Sequence, residues 1–139
     1  MRKTIGLGLI LLFLLLPLTG CGNKVDQDTV NTSGEKVFKV GVTQYVAHPA
    51  LDLDQQGFLD QMKEEGFLEG QNITFDIKNS QGDPNLAKTI ADKFVADKVD
   101  AILAITTSSS QAAAQATKGS DIPVVFIAVS DAVGSGLIT

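Results

Sequence analysis

The sequence predicts an α/β fold, a parallel sheet with helices on both faces. Short apolar, β-branched segments alternate with longer segments of helical periodicity, in the order β-α-β-α-β-α-β. The segment from 100 to 105 is apolar almost throughout, which is typical of a strand buried on both faces of a parallel sheet. Such alternation produces right-handed crossovers, and we expect the strand order to begin 2-1-3-4.

The first half of the alternation covers residues 37–78. Val37–Gln44 is rich in β-branched residues and predicts the first strand. A helix from Leu51 to about Gly66 follows, because apolar residues recur there at helical spacing. Gln71–Lys78 alternates apolar and polar side chains with a period of two, as an edge strand with one polar face would. The apolar positions of the helix and its end are Leu51, Phe58, Leu59, Met62 and Phe67.

The second half begins at Asp83, whose carboxylate can accept hydrogen bonds from the first free N–H groups of a helix. Pro84 suits the first helical turn, and we expect this helix to run to about Val99. An alanine-rich helix is predicted at Ser108–Lys118, and a fourth strand at Ile122–Val129. The inward positions of the second helix are Leu86, Ile90, Phe94 and Val95.

The N-terminal residues have the layout of an export signal. Arg2 and Lys3 precede an apolar run from 5 to 16, which is shorter than the roughly 18 residues that a transmembrane helix needs. Leu18-Thr19-Gly20-Cys21 resembles the lipobox of bacterial lipoproteins, which implies a lipid on Cys21. We therefore predict a signal peptide at 1–20, a flexible polar tether at 21–35 and a folded region at 36–139.

Composition excludes several classes of partner. Cys21 is the only cysteine, so no disulfide can form within the chain and no cysteine-rich metal site exists. The formal charge is −5, although Arg2 and Lys3 belong to the predicted signal peptide. Because phosphate backbones require clustered Lys and Arg, we expect no nucleic-acid partner. Neither a metal nor a cofactor is expected.

Candidate binding residues follow the predicted strands. In open parallel sheets, ligands bind beyond the carboxyl ends of the strands. The end of the second strand, residues 79–81, is expected to lie outside the site because that strand is at the edge. The candidates after the first, third and fourth strands are Gln44, Tyr45, Thr106, Thr107, Ser108, Ser109, Ser130 and Asp131.

Two interpretations remain open for most of these residues. Hydroxyls and free N–H groups at Thr106–Ser109 can bind a carboxylate, but Ser108 can equally be an N-cap. Asp131 can pair with an ammonium group or form a turn before Gly134-Ser135-Gly136. Tyr45 can stack on a ligand or pack on the next loop. His48, the only histidine, is expected to order the loop before Pro49.

Enzymatic signatures are missing from the sequence. It contains no Gly-x-Ser-x-Gly elbow and no Walker-type phosphate loop, and no Gly-x-Gly-x-x-Gly follows the first strand. We read Asp52 and Asp54 as charges at the start of a helix. The chain is therefore predicted not to be an enzyme. An α/β enzyme that uses Asp131 or His48 as a base is the competing hypothesis.

Several motifs, taken in order, carry a family resemblance. They are Val40–Gln44, His48–Asp52, Gly57–Phe58, Gly66–Asn72, Gln81–Pro84, Thr106 with Gln111–Ala113, Ile122–Phe126 and Asp131–Leu137. Together they resemble the substrate-binding lipoproteins of ABC transporters, in the family that includes tryptophan- and tyrosine-binding members. The resemblance covers the whole predicted folded region.

The resemblance implies a type I periplasmic-binding-protein-like fold, in which two lobes close on a ligand. Residues 36–139 are then a partial N-terminal lobe, and the chain is expected to be truncated. The implied ligand is an amino acid, aromatic in class. Its carboxylate would meet Thr107–Ser109, and its amine or ring would meet Asp131 and Tyr45. An ABC permease is the implied partner, and the protein itself is expected to be lipid-anchored on the extracytoplasmic face of the cell membrane. The alternative is a truncated surface lipoprotein that serves as an interaction module without transport.

Overall fold

A computed structural model describes residues 34–138 as a parallel sheet with helices on both faces. The strand order is β2-β1-β3-β4, and each neighbouring pair is parallel. The predicted class, alternation and strand order are confirmed. Cys21, the predicted signal peptide and residues 21–33 of the predicted tether lie outside the described residues. The elements are β1 (Phe38–Gln44), α1 (Pro49–Glu64), β2 (Ile73–Asn79), α2 (Pro84–Ala96), β3 (Ala101–Ile105), α3 (Thr107–Ala116) and β4 (Val124–Ile127).

Helix α1 begins two residues earlier than predicted and ends where the sequence indicates. His48 caps its N-terminus, with Nδ1 accepting a hydrogen bond from the Ala50 N–H at 3.2 Å. At the other end Gly66 adopts φ +88°, a conformation that glycine reaches without a Cβ clash. Phe67 N–H then bonds the Met62 carbonyl at 2.9 Å, which closes a Schellman motif.

Helix α2 starts as predicted and ends earlier than predicted. Asp83 Oδ1 accepts from the Asn85 N–H at 2.8 Å, as expected of its cap. The helix ends at Ala96 rather than near Val99, because Lys98 turns into the left-handed region with φ 52°. Strand β4 is also shorter than predicted, since Ala128 leaves the strand with φ 54°.

One face of the sheet packs against α1. Val40 and Val42 of β1 and Leu103 and Ile105 of β3 form its buried cluster together with Ile73. The helix contributes apolar side chains that are only partly buried, and none of its residues is fully buried. The α1 side chains in contact with this cluster are Leu51, Phe58 and Met62.

The opposite face packs against α2 and α3. Phe94 of α2 is fully buried in this layer, which also holds Ile90, Ile102 and Ala113. Beneath its ring lies Gly41 of β1, where an added Cβ would stand 2.6 Å from Phe94 Cδ2. The phenyl ring therefore occupies the space that any side chain at position 41 would need.

Asp100 ties the amino-terminal ends of β1 and β3 together. Its Oδ2 accepts from the Lys39 N–H at 2.8 Å, and its own N–H donates to the Lys39 carbonyl at 2.7 Å. Lys36 Nζ lies 2.5 Å from Oδ1. Burial raises the pKa of this carboxyl, but the bonds from Lys36 and from the Lys39 backbone outweigh it and hold the pKa below its usual value.

Across residues 34–138, no helix combines the length and the apolar character needed to cross a membrane.

Substituting Gly41 tests the packing of the second layer. Gly41→Ala should lower the free energy of unfolding by about 1–3 kcal/mol, because the new Cβ overlaps the buried Phe94 ring. Gly57→Ala is the matched control. Gly57 lies in α1 with open space around it, so alanine there should stabilise the helix by about 0.5–1 kcal/mol. Urea denaturation of both variants measures the difference, and equal effects would contradict the packing argument.

Stability should depend on pH through Asp100. Its folded pKa lies below the unfolded value, so the carboxylate stabilises the fold above the unfolded pKa and loses this effect as pH falls through the folded pKa. Asp100→Asn should therefore cost about 1 kcal/mol at neutral pH, since solvent screens part of the ion pair, and the difference should shrink below roughly pH 4. Asp92→Asn, which breaks an exposed pair with Lys88, is the control. A pH-independent difference for Asp100→Asn would contradict the assignment.

Candidate functional site

The carboxyl ends of the four strands lie side by side along one edge of the sheet. The register pairs Asn79 of β2 with Gln44 of β1, and Gln44 with Ile105 of β3. Ile105 in turn pairs with Ile127 of β4. The Thr106 N–H donates to the Ile127 carbonyl at 3.0 Å, which links the start of the loop after β3 to the end of β4. The sheet thus places the candidates that follow β1, β3 and β4 along a common edge.

At this edge of the sheet, Thr106 has a backbone conformation that is unusual for a residue with a side chain. It caps α3 with φ 85° and ψ 160°, a region that is essentially reserved for glycine and costs about 1–3 kcal/mol for other residues. The Thr106 side chain makes no cap hydrogen bond, and its buried Oγ1 has no partner in the described part of the chain. Strain and an unsatisfied hydroxyl therefore coincide at one residue.

Helix α3 presents free donors at this point. Ser110 is the first residue whose N–H bonds a backbone carbonyl, that of Thr106, at 3.0 Å. The N–H groups of Thr107, Ser108 and Ser109 bond no acceptor within residues 34–138, as the first turn of a helix leads one to expect. The idea that Ser108 is the N-cap is wrong, because the helix already begins at Thr107 and Thr106 takes the cap position.

The serines of this turn point in different directions. Ser108 is exposed and Thr107 is half-buried. Ser109 is fully buried, and its hydroxyl has no partner among the described residues. The Ser110 hydroxyl donates back to the Thr106 carbonyl at 2.7 Å. An anion arriving here would meet the backbone N–H groups and the Ser108 hydroxyl, whereas the Ser109 hydroxyl faces the interior.

Gln44 and Tyr45 follow β1 and are both engaged within the chain. Gln44 is buried, and its Nε2 donates to the Val46 carbonyl at 2.9 Å and to Asp52 Oδ1 at 2.8 Å. The Gln44 amide group thus fixes the first turn of α1. Tyr45 is half-buried, and its hydroxyl donates to the Gly82 carbonyl at 2.7 Å.

Tyr45 and Ser108 line one groove between α2 and α3, with a volume of about 620 Å³. Small apolar side chains and a proline form part of its wall, and longer polar side chains form the rest. The other lining residues are Pro84, Ala87, Lys88, Asp92, Gln111, Ala112, Gln115 and Ala116. Two of the predicted binding residues are therefore brought together by the packing of two helices.

Ser130 and Asp131 lie in the exposed loop after β4 and do not line this groove. Asp131 Oδ1 accepts from the Gly134 N–H at 2.7 Å, so the residue forms the turn that was one of its two interpretations. A Cβ at Gly134 would lie 2.1 Å from Asp131 Oδ2, which makes glycine necessary there. Gln111 Nε2 donates to the Ser135 carbonyl at 3.1 Å and fastens this loop to α3.

The turn after β2 contacts Tyr45. Ser80 is fully buried, and its Oγ donates to the Tyr45 carbonyl at 3.0 Å. None of residues 79–81 lines the groove, and the expectation that they lie outside the site stays a prediction. Sequence reasoning missed the contact of Ser80 with Tyr45 and the place of Gln111 in the wall of the groove, since a single polar side chain gives no periodic signal.

His48 has the structural role that its position indicated, as the cap of α1. Within residues 34–138, no three His, Cys, Asp or Glu side chains are grouped so that they could hold a metal ion.

Comparison with known proteins places this geometry in context. Residues 39–139 match the family model described as ABC transporter substrate binding protein. The chain is 42% identical over 125 residues to a tyrosine-binding protein of Clostridioides difficile, covering 87% of this chain and 36% of the relative.

Two solved structures are also similar. One is the ligand-free, open structure of a substrate-binding protein with adhesive properties from Clostridium difficile, with 48% identity, a TM-score of 0.71, and coverage of 74% of this chain and 34% of that one. The other is an ABC domain in complex with L-tryptophan from Streptococcus pneumoniae, with 36% identity, a TM-score of 0.69 and the same coverage. The chain thus spans about a third of the length of the relatives it matches.

Proposed function

This chain belongs to the ABC transporter substrate-binding protein family, and we propose that it supplies one lobe of a receptor for an aromatic amino acid. The observation that carries the proposal is at the N-terminus of α3. Three N–H groups without acceptors among residues 34–138 lie there, at the carboxyl end of the central strand β3. The relatives named for tyrosine binding and crystallised with L-tryptophan support an aromatic ligand.

The ligand carboxylate binds at the first turn of α3. Thr107, Ser108 and Ser109 offer backbone N–H groups, the exposed Ser108 adds its hydroxyl, and the positive end of the helix dipole favours a negative charge. Thr106, with its strained backbone, connects this first turn directly to the carboxyl end of β3. The buried Ser109 hydroxyl is not assigned a contact with the ligand.

The remaining candidates surround that turn. Tyr45 shares a groove with Ser108 and offers its ring to the ligand side chain. Asp131 uses Oδ1 for the turn to Gly134, so Oδ2 is the oxygen we assign to the ligand ammonium, with Ser130 beside it. Gln44 acts through Asp52 and the β1–α1 loop. An interaction module without transport is not favoured, because these relatives are named for binding a substrate or are seen with one.

The proposed place of the protein is the extracytoplasmic face of the cell membrane. A lipid on Cys21 anchors it, residues 22–35 form the tether, and an ABC permease receives the amino acid. The layout of Arg2, the apolar run and Leu18–Cys21 supports the anchor. Multiple acyl chains are needed for stable anchoring, since one chain alone binds a bilayer weakly.

Replacing Ser108 separates binding from folding. Ser108→Ala in the whole protein should weaken binding of L-tyrosine or L-tryptophan about ten- to 150-fold, the effect of losing one charge-assisted hydrogen bond. Stability should change by less than about 0.5 kcal/mol, because Ser108 is exposed and is not the cap. Titration calorimetry and thermal melting measure the two effects. Ser120→Ala, at the opposite end of α3, is the control. Unchanged affinity in Ser108→Ala would place the carboxylate elsewhere.

Replacing Cys21 tests the anchor. Cys21→Ser should leave the domain folded and release it from the membrane fraction, because the thiol is the proposed site of acylation. Cell fractionation with a salt wash measures this, and a variant that stays in the washed membrane pellet would contradict lipid anchoring.

A further inference from the structure

We propose that the turn after β2, Ser80–Gly82, is a positioning device that fixes the Tyr45 ring before a ligand arrives. The turn itself is not assigned a contact with the ligand. The effect of this turn on ligand binding rests on the proposed function. The fixing of the Tyr45 ring does not, because it can be measured on this chain without a ligand.

Tyr45 is held at two points by this turn. Its backbone carbonyl accepts from Ser80 Oγ at 3.0 Å and from the Gly82 N–H at 2.7 Å. Its phenol hydroxyl donates to the Gly82 carbonyl at 2.7 Å. The Ser80 N–H also donates to the Gln44 carbonyl at 3.0 Å. Main chain and side-chain tip are thus fixed by the same three-residue segment, which leaves the ring little freedom.

The turn has an unfavourable backbone conformation that its surroundings must stabilise. Gln81 has φ 54° and Gly82 has φ 79°, so two successive residues are left-handed. A non-glycine residue in this region is disfavoured and persists where its surroundings determine it. Asn79 Oδ1 accepts from the Gln81 N–H at 2.8 Å, and the Asp83 N–H donates to the Ser80 carbonyl at 2.9 Å. These bonds and the burial of Ser80 hold the strained turn against Tyr45.

Holding the Tyr45 ring in place before a ligand arrives affects which ligands bind most tightly. Ordering a mobile side chain on binding reduces affinity, and a pre-ordered side chain avoids that loss. Since Tyr45 lines the groove together with Ser108, its fixed face stands beside the proposed carboxylate site. A flat aromatic side chain gains from a fixed partner ring, because stacking depends on the relative orientation of the two rings. The turn therefore favours aromatic over aliphatic amino acids.

The chain offers a direct probe of the ring. Tyr45 is its only tyrosine and it contains no tryptophan, so fluorescence excited at wavelengths that phenylalanine does not absorb reports Tyr45 alone. Time-resolved anisotropy is measured on the ligand-free chain for the parent, Ser80→Ala and the control Ser120→Ala. In Ser80→Ala the amplitude of the sub-nanosecond component should rise about twofold or more, because the ring gains motion on that timescale. Ser120→Ala should match the parent.

A second variant guards against a folding defect. Ser80 is buried, so Gly82→Val is tested as well, since a β-branched residue at an exposed left-handed position opens the turn without entering the core. It should also raise the fast component. Circular dichroism checks the fold of each variant. If folded Ser80→Ala or folded Gly82→Val keeps the anisotropy decay of the parent, the positioning role is overturned.

Calorimetry gives the second arm. In the whole protein, the affinity ratio of L-tyrosine to L-leucine should fall about two- to tenfold in Ser80→Ala, whereas a purely structural role would weaken both ligands equally. An unchanged ratio overturns the effect on selectivity. If the parent whole protein binds neither L-tyrosine nor L-tryptophan, the proposed function fails, while the anisotropy data still decide whether the turn positions Tyr45.

Discussion

The contact between Gly41 and Phe94 is the constraint on which the rest of the domain depends. A central strand brings its backbone under a phenyl ring, and only a residue without Cβ fits there, because an added Cβ would stand 2.6 Å from Phe94 Cδ2. This contact sets the height of α2 above β1, and α3 packs beside α2 in the same layer. The groove that Tyr45 and Ser108 line lies between those two helices.

Backbone strain is concentrated where the binding edge lies. Four non-glycine residues with positive φ occur within residues 34–138, and three of them lie within two residues of the end of a strand: Gln81, Thr106 and Ala128. The fourth, Lys98, closes α2. Strained residues persist where surrounding structure determines them, and the ends of a well-paired parallel sheet provide that support. The rigid sheet can therefore hold loops in conformations that the loops would not choose alone.

Buried hydroxyl groups without hydrogen-bond partners among the described residues are also found near the carboxyl ends of the strands. The interior of the sheet is apolar, yet the hydroxyls of Thr43, Thr106 and Ser109 are buried without partners in the described portion. Thr106 and Ser109 both belong to the head of α3, next to the free N–H groups of its first turn. Such unsatisfied groups cost stability, and two of the three lie beside the candidate ligand site.

The sequence by itself determined the class, the element order and the strand order, because periodicity and the rules of parallel sheets act on many residues at once. It also indicated the edge on which candidates such as Tyr45 and Ser108 lie, since that edge follows from strand direction. Tertiary structure alone decided which of them meet, how Ser109 turns inward and how Ser80 reaches Tyr45. Those outcomes depend on single hydrogen bonds and on the packing of α2 against α3, and neither leaves a repeating pattern in the sequence.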